Sequence, residues 1–251
     1  NVSLQKKTIK NNWYPKFNYS YVLEKYKLEF GRDYKETLDI RNNIKCENLK
    51  KLNNKYFAKK FFIKHGLNVP NLIYYSNKKE NFERFFNGNF VVKPAHMSEN
   101  RNVFIKSSQK IYGNKTMNKV LDKSAGEKEP LMLSQAERGV IVEEYIHARY
   151  ELKVFVLYGN PIIASLQNGR NNVIDYIQEE NKYVDLKDTY KKISNIARKL
   201  KLDFFRIDFL IKDNKTYASE FAFRPSTTMP KNVTELIYNK WLLNSIIHHI
   251  K

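Results

Sequence analysis

The sequence predicts a mixed α+β fold, and three observations carry that prediction. Apolar strand-like runs such as Phe90-Val91-Val92 and Val140-Ile141-Val142 stand between helical stretches. Two pairs of such runs are joined by turn sequences, Tyr158-Gly159-Asn160-Pro161 and Asp213-Asn214-Lys215, and read as hairpins. Helices and short hairpins alternate without an internal repeat, the pattern of the α+β or mixed α/β class. With 251 residues, 42% of them hydrophobic, the chain can bury a core and has room for one domain or two to three small lobes.

Taken in order, residues 1–50 are rich in Tyr, Lys and Asn, with a helical look over 21–30. Asn53 or Asn54 can cap a helix that runs through Tyr56, Phe57, Lys60, Phe61 and Lys64, and Gly66 stops it. Leu67-Asn68-Val69-Pro70 then turns into an extended segment, Leu72-Ile73-Tyr74-Tyr75. A short helix is expected over 82–86, and Phe90-Val91-Val92-Lys93 reads as a buried strand ended by Pro94. Residues 107–138 are polar, Lys-rich and poorly periodic, as expected of a mobile lid or binding loop. Strands follow at 140–144, 152–157 and 162–164. Tyr190, Ile193, Ile196, Ala197 and Leu200 mark an amphipathic helix. Asn232 with Glu235 looks like the capped start of a final helix carrying Leu236, Trp241, Leu242 and Ile246.

Composition narrows the function classes. No run approaches the roughly 18 apolar residues of a membrane span, and the first residues lack the apolar core of a signal peptide. The single Cys46 excludes an internal disulfide framework and a thiolate metal cluster, and fits a reducing, cytoplasmic setting. Forty-five basic residues against 26 acidic ones give a net charge of +19. Such a charge attracts polyanions: nucleic acid, acidic glycan, nucleotide phosphates or an anionic membrane surface. Lys and Asn are abundant throughout, however, and compositional bias accounts for the same excess.

The most informative chemistry lies near the C-terminus. Phe205-Arg206-Ile207-Asp208-Phe209 and Tyr217-Ala218-Ser219-Glu220-Phe221 read as the two strands of a hairpin that sets Asp208 beside Glu220. Two close carboxylates repel unless a proton or cation lies between them. Hard oxygen ligands favour Mg²⁺, usually held by one or two carboxylates together with substrate phosphates. A chance acidic pair on a solvated face remains the competing reading.

Five pieces in order resemble the ATP-grasp superfamily over residues 54–225. They are Asn54-Lys55 with its helix and Gly66-Leu67-Asn68-Val69-Pro70, then Phe90-Val91-Val92-Lys93-Pro94, then Ile141-Val142-Glu143-Glu144-Tyr145-Ile146, then Glu151-Leu152-Lys153-Val154-Phe155, and last the Asp208/Glu220 pair. Lys93-Pro94-Ala95-His96-Met97-Ser98, Arg206-Ile207-Asp208 and Glu220-Phe221-Ala222-Phe223-Arg224-Pro225 are most similar to the TupA-like branch, associated with teichuronopeptide and other cell-surface polymer synthesis. The resemblance implies an ATP-grasp fold in which a small lid lobe and a larger C-terminal sheet lobe grip ATP. It places an N-terminal segment and pre-ATP-grasp lobe at 1–85, the lid lobe at 86–146 and the large lobe at 147–251. It implies that Lys55 and Lys93 contact phosphates, that Glu143, Glu144, Tyr145 and Ile146 hold adenine, and that Asp208 and Glu220 hold Mg²⁺. Two departures stand out. The phosphate-covering loop of the family carries glycines, whereas 95–102 has none. Many members carry Asn where this chain has Ala222, which leaves two protein carboxylates for the metal.

The residue types suit these roles on their own chemistry. A triphosphate needs several cations, and Lys55, Lys93 and Lys153 supply three from separate segments, unless they are solvated surface charges. Glu143 is an acceptor for the adenine amine or a strand-face charge. Glu151 accepts from ribose hydroxyls or pairs with Lys153 on the same strand face. Arg206 shares a face with Asp208; it contacts the γ-phosphate or an acyl-phosphate, or it pairs with Glu220. His96 and Ser98 lie where side-chain donors reach phosphate oxygens. Arg170 and Arg224 are further candidates for carboxylate or phosphate binding.

The expected activity is an ATP- and Mg²⁺-dependent ligase that joins a carboxylate to an amine through an acyl-phosphate, with Arg206 and Lys153 as catalytic cations. The TupA-like resemblance and the positive charge point to an acidic glycan or other carboxylate acceptor on a polymer precursor. A kinase that stops at phosphoryl transfer is an alternative within enzymes. A basic nucleic-acid-binding protein explains the charge but leaves the ordered Lys, Glu and Asp pieces unexplained.

Overall fold

In the computed structural model, the described residues are 51–85, 89–97, 104–105, 114–122, 136–168, 172–177, 180–181, 184–200, 202, 204–223, 233, 236–237 and 240. The expectations for 1–50, for Ser98, Arg170 and Arg224, and for most of the final helix lie outside them.

Helix α1 spans Lys55–Lys64. Asn54 caps it, its side-chain oxygen accepting from the Tyr56 N–H. The helix ends at His65, after which Gly66 takes a φ of 76°, a left-handed conformation that glycine adopts without strain. The Gly66 N–H bonds Ile63 O and the Leu67 N–H bonds Phe62 O, the paired bonds of a Schellman cap. The buried face of α1 is Ala58, Lys59 and Phe62, so the residues read from sequence as marking the helix are mostly on its other sides. Aromatic and aliphatic residues occur all round this helix, and their spacing does not single out one face.

A four-stranded antiparallel sheet follows, in the order β1-β4-β2-β3. Its strands are β1 (Leu72–Ser76), β2 (Phe90–Pro94), β3 (Phe104–Ile105) and β4 (Val140–Glu144). A single 3₁₀ turn, Glu83–Phe85, stands where a short helix is expected. Val92, Val140 and Val142 form this sheet's core with Phe82 and with Met117 and Leu121 of α2 (Asn114–Asp122). Helix α2 lies inside the stretch 107–138 expected to lack structure. Its three buried apolar residues, Met117, Val120 and Leu121, are few enough to be lost among lysines and asparagines in the sequence. Because β1 pairs with β4, residues 72–76 belong to this sheet.

The second sheet has five antiparallel strands in the order β11-β10-β5-β6-β7. They are β5 (Tyr150–Leu157), β6 (Asn160–Gln167), β7 (Val173–Ile177), β10 (Phe204–Lys212) and β11 (Lys215–Ala222). Between them run the short pair β8 (Glu180–Asn181) and β9 (Val184–Asp185) and helix α3 (Lys187–Leu200). In the hairpin between β10 and β11, Asp213 and Asn214 have φ of 49° and 60°, the two positive angles of a type I′ turn. One face of the sheet carries Leu152, Val154, Ile207, Phe209 and Phe221, packed on α1 and on Ile193, Ile196 and Ala197 of α3. Its other face carries Glu151, Lys153, Arg206 and Asp208 at alternating positions. The apolar end of that second face, Phe155, Leu157 and Phe204, is covered by Val233 and Ile237 of the C-terminal helical residues. The α+β class and the two lobes are as the sequence predicts. Among the described residues no helix is long and apolar enough to cross a membrane.

Gly139 sets how closely β1 approaches the start of β4. A Cβ there would lie 2.4 Å from Cε2 of Tyr75, whose ring stacks on Tyr56 with centroids 4.1 Å apart. Gly139→Ala therefore forces Tyr75 and the α1 contact to shift. The expected loss is about 1–3 kcal/mol of stability, the usual cost of overpacking, read as a lower denaturation midpoint. An unchanged midpoint would mean that β1 moves aside freely.

Candidate functional site

The site is built from one face of α1 and the facing parts of both sheets. Lys55 and Lys59 are one turn apart and project to the same side. The Lys55 ammonium donates to the Met97 carbonyl beyond β2 and lies 3.1 Å from Oε2 of Glu220 on β11. The Lys59 ammonium, fully buried, lies 3.1 Å from Oε2 of Glu143 on β4 and 3.4 Å from the Ala218 carbonyl on β11. Each lysine thus reaches a group associated with each sheet. Lys93 on β2 completes the set, its ammonium 2.5 Å from Oε1 of Glu143.

Glu143 therefore stands between two lysines. Burial raises its carboxyl, but the charges of Lys59 and Lys93 outweigh that and hold it below the ordinary value. Lys59 shares this one carboxylate with Lys93 and has no solvent, so burial dominates and lowers it from 10.5 to about 8. The Glu143 carboxylate is buried, not a solvated strand charge, with Lys93 on Oε1 and Lys59 at ion-pair distance from Oε2, which has no partner of hydrogen-bond geometry among the described residues.

On the second sheet, cross-strand register sets Asp208 opposite Glu220 on one side and opposite Lys153 on the other. A bulge after Asp208, where Phe209 pairs with Ala218, breaks the β11 alternation just beyond Glu220. Arg206 does not pair with Glu220 through a hydrogen bond. It grips Asp208 with both arms, Nε to Oδ1 at 2.6 Å and Nη2 to Oδ2 at 2.8 Å. Burial raises the Asp208 carboxyl against the pull of Arg206, and the nearby Glu220 charge adds to the rise. Glu220 is held low, the opposing cost of burial being exceeded by Lys55 and Lys93. Glu151 lies 3.8 Å from the Lys153 ammonium, the same-face pairing read from the strand period, and burial together with the Asp208 charge raises its carboxyl.

These carboxylates suit a hard cation. Asp208 and Glu220 face each other from adjacent strands, and each oxygen bonded to a cation retains a second lone pair. Among the described residues no cluster of three or more His, Cys, Asp and Glu is placed to hold a metal. Mg²⁺ would have to complete its shell with phosphate oxygens and water, as it usually does.

The other expected residues fall as follows. His96 is buried, its Nδ1 facing the Gly139 backbone at 3.3–3.4 Å. Glu144 is exposed, and its N–H is held by Asn71 O. Tyr145 donates its N–H to Asn89 O and sets its ring edge-on to His147. Ile146 is buried, its carbonyl accepting from the Ala148 N–H. Lys59 was missed in the sequence. The only signal for it is its spacing of four from Lys55, on a helix whose buried face was not evident.

No protein-family model matches the chain, and no curated protein does. Solved structures do. D-alanine–D-alanine ligase from Bacillus anthracis complexed with ATP aligns with TM-score 0.53 at 19% identity, over 78% of this chain and 65% of that one. N5-carboxyaminoimidazole synthetase from Staphylococcus aureus complexed with ADP gives 0.51 at 17%, over 74% of this chain and 48% of that one. D-alanine–D-alanine ligase from Helicobacter pylori gives 0.50 at 18%, over 77% and 61%. The chain shares the fold of these structures, a two-lobed ATP-grasp-like architecture. The chain spans 65% of the length of the first of these ligases and less of the other two.

The Lys59 shift has a measurable consequence. Its folded value of about 8 lies below the unfolded 10.5, so between these the unfolded chain binds more protons and stability rises with pH. Lys59 alone contributes a rise of about 3 kcal/mol across that window. Denaturation of the wild type from pH 8 to 10 should show a positive slope that Lys59→Met lacks. Equal slopes in the two proteins would mean that the amine is not buried as charge.

Proposed function

We propose that the chain binds ATP with Mg²⁺ between its two sheets and uses it to join a carboxylate to an amine. The observation that carries this reading is a set of five cations gathered on three carboxylates within an ATP-grasp fold: Lys55 on Glu220, Lys59 and Lys93 on Glu143, Arg206 on Asp208, and Lys153 opposite Asp208 across the strands. Cations placed round paired carboxylates suit a polyanion that brings its own metal. The similar ligase and synthetase structures holding ATP and ADP support the same ligand class.

In the proposed reaction an acceptor carboxylate oxygen attacks the γ-phosphorus, the bond to the β-phosphate oxygen breaks and ADP leaves. The amine then attacks the acyl carbon, phosphate departs and the amine loses a proton. Mg²⁺ would supply charge neutralisation on the phosphates. Lys55 and Lys93 bind phosphate oxygens, Lys153 and Arg206 stabilise charge on the transferred group, and Glu151 takes the ribose hydroxyls. His96, by its burial, supports the loop after β2. Glu144, Tyr145 and Ile146 form the hinge against which adenine rests, Glu143 acting from behind through Lys93. The TupA-like sequence features and the net charge of +19 favour an acidic glycan or other polymer-linked carboxylate acceptor.

Three measurements check this. MgATP at 100 times its dissociation constant should stabilise the fold by about 2.7 kcal/mol, and random oligonucleotides should not substitute for it. Mass spectrometry after incubation with ATP, Mg²⁺ and acceptors should show an amide; a phosphate ester would favour the kinase. Glu220→Gln should abolish turnover and stay folded. Asp208→Asn should also lose stability, about 3 kcal/mol, because it strips the buried Arg206 of its counter-charge. Full turnover in Glu220→Gln would remove the metal assignment.

A further inference from the structure

Resting on the nucleotide-site reading above, we propose that Lys59 is a positioning residue that frees the Lys93 ammonium for nucleotide phosphates by sharing the Glu143 charge. Glu143 has one negative charge and two cations on it, Lys59 at 3.1 Å and Lys93 at 2.5 Å. The three side chains together carry +1. Lys59 is wholly buried, so its charge has no route to a ligand, and its further polar contact is the Ala218 carbonyl at 3.4 Å. The Lys93 side chain is 10% exposed and stands at the accessible end of the trio. The surplus charge is therefore presented through Lys93. Without Lys59, Glu143 neutralises Lys93 alone, and an incoming phosphate must compete with a short, buried ion pair of net charge zero.

The direction of each substitution follows from that charge count. Lys59→Met leaves the trio at zero. Glu143→Gln removes the charge that holds the buried Lys59 protonated, so Lys59 goes neutral and the trio stays at +1, all of it on Lys93; the double variant Lys59→Met/Glu143→Gln is also at +1. A purely structural Lys59 would not produce this ordering.

The test is titration of the full chain with MgATP and, separately, with adenosine, which lacks phosphates. Lys59→Met should weaken MgATP about tenfold, within the range of coupling between close charges, and leave adenosine unchanged. The double variant should recover the MgATP affinity that Lys59→Met loses, and Glu143→Gln should bind MgATP at least as well as wild type. If Lys59→Met does not fold, Lys59→Gln, which also removes the charge, takes its place, and adding Glu143→Gln must restore its MgATP affinity. MgATP affinity that ignores Lys59 when Glu143 is present, a loss that Glu143→Gln does not reverse, or a loss shared equally by adenosine overturns the proposal while leaving the nucleotide site intact. Absence of MgATP binding by the wild type overturns both.

Discussion

The arrangement depends on two lysines one turn apart on α1. Lys55 joins the loop after β2 to Glu220, and Lys59 joins β4 to β11. Taking an ammonium out of water costs several kcal/mol, and a single shared carboxylate does not fully return it. A hydrophobic residue of similar volume in such a buried position often costs less. Function rather than stability is the reading that accounts for this expense.

The helix can hold those lysines because its other contacts are apolar. Ala58 and Phe62 seat it on the second sheet, with Phe62 4.4 Å from Phe221, which in turn packs on Phe205 and Phe223. The same strands that make this core turn their alternate residues to the opposite face, where Arg206, Asp208 and Lys153 stand. A single antiparallel hairpin thus supplies both the platform for α1 and the acidic pair that Lys55 meets. At the other end of α1, Asn54 caps the helix and also donates to the Glu137 carbonyl, tying the helix start to the segment before β4.

Much of this was legible in the sequence because it is local. The strand period put Arg206 with Asp208 and Glu151 with Lys153, and the Asp213-Asn214 turn marked the hairpin; its register alone pairs Asp208 with Ser219, and the bulge, which the sequence does not announce, brings Glu220 opposite instead. Gly66 and Asn54 marked the ends of α1 through cap chemistry. The rest is tertiary. Nothing local tells that Glu143 faces two lysines from different elements, or that His96 is buried against Gly139. The face of α1 was hidden by aromatic residues on every side, and with it Lys59. Arg206 had two plausible carboxylate partners at strand spacing, and only three-dimensional geometry decides for the bidentate grip on Asp208. Helix α2 was masked by its polar composition.

The central claim is that these cations and carboxylates hold one triphosphate with its metal. A crystal structure with a non-hydrolysable ATP analogue and Mg²⁺ tests it most directly. The account predicts phosphate oxygens within hydrogen-bond reach of Lys55 and Lys93, and a cation about 2.1 Å from oxygens of Asp208 and Glu220. A nucleotide bound elsewhere, with Lys93 still closed on Glu143 and no metal between the two strands, would contradict it.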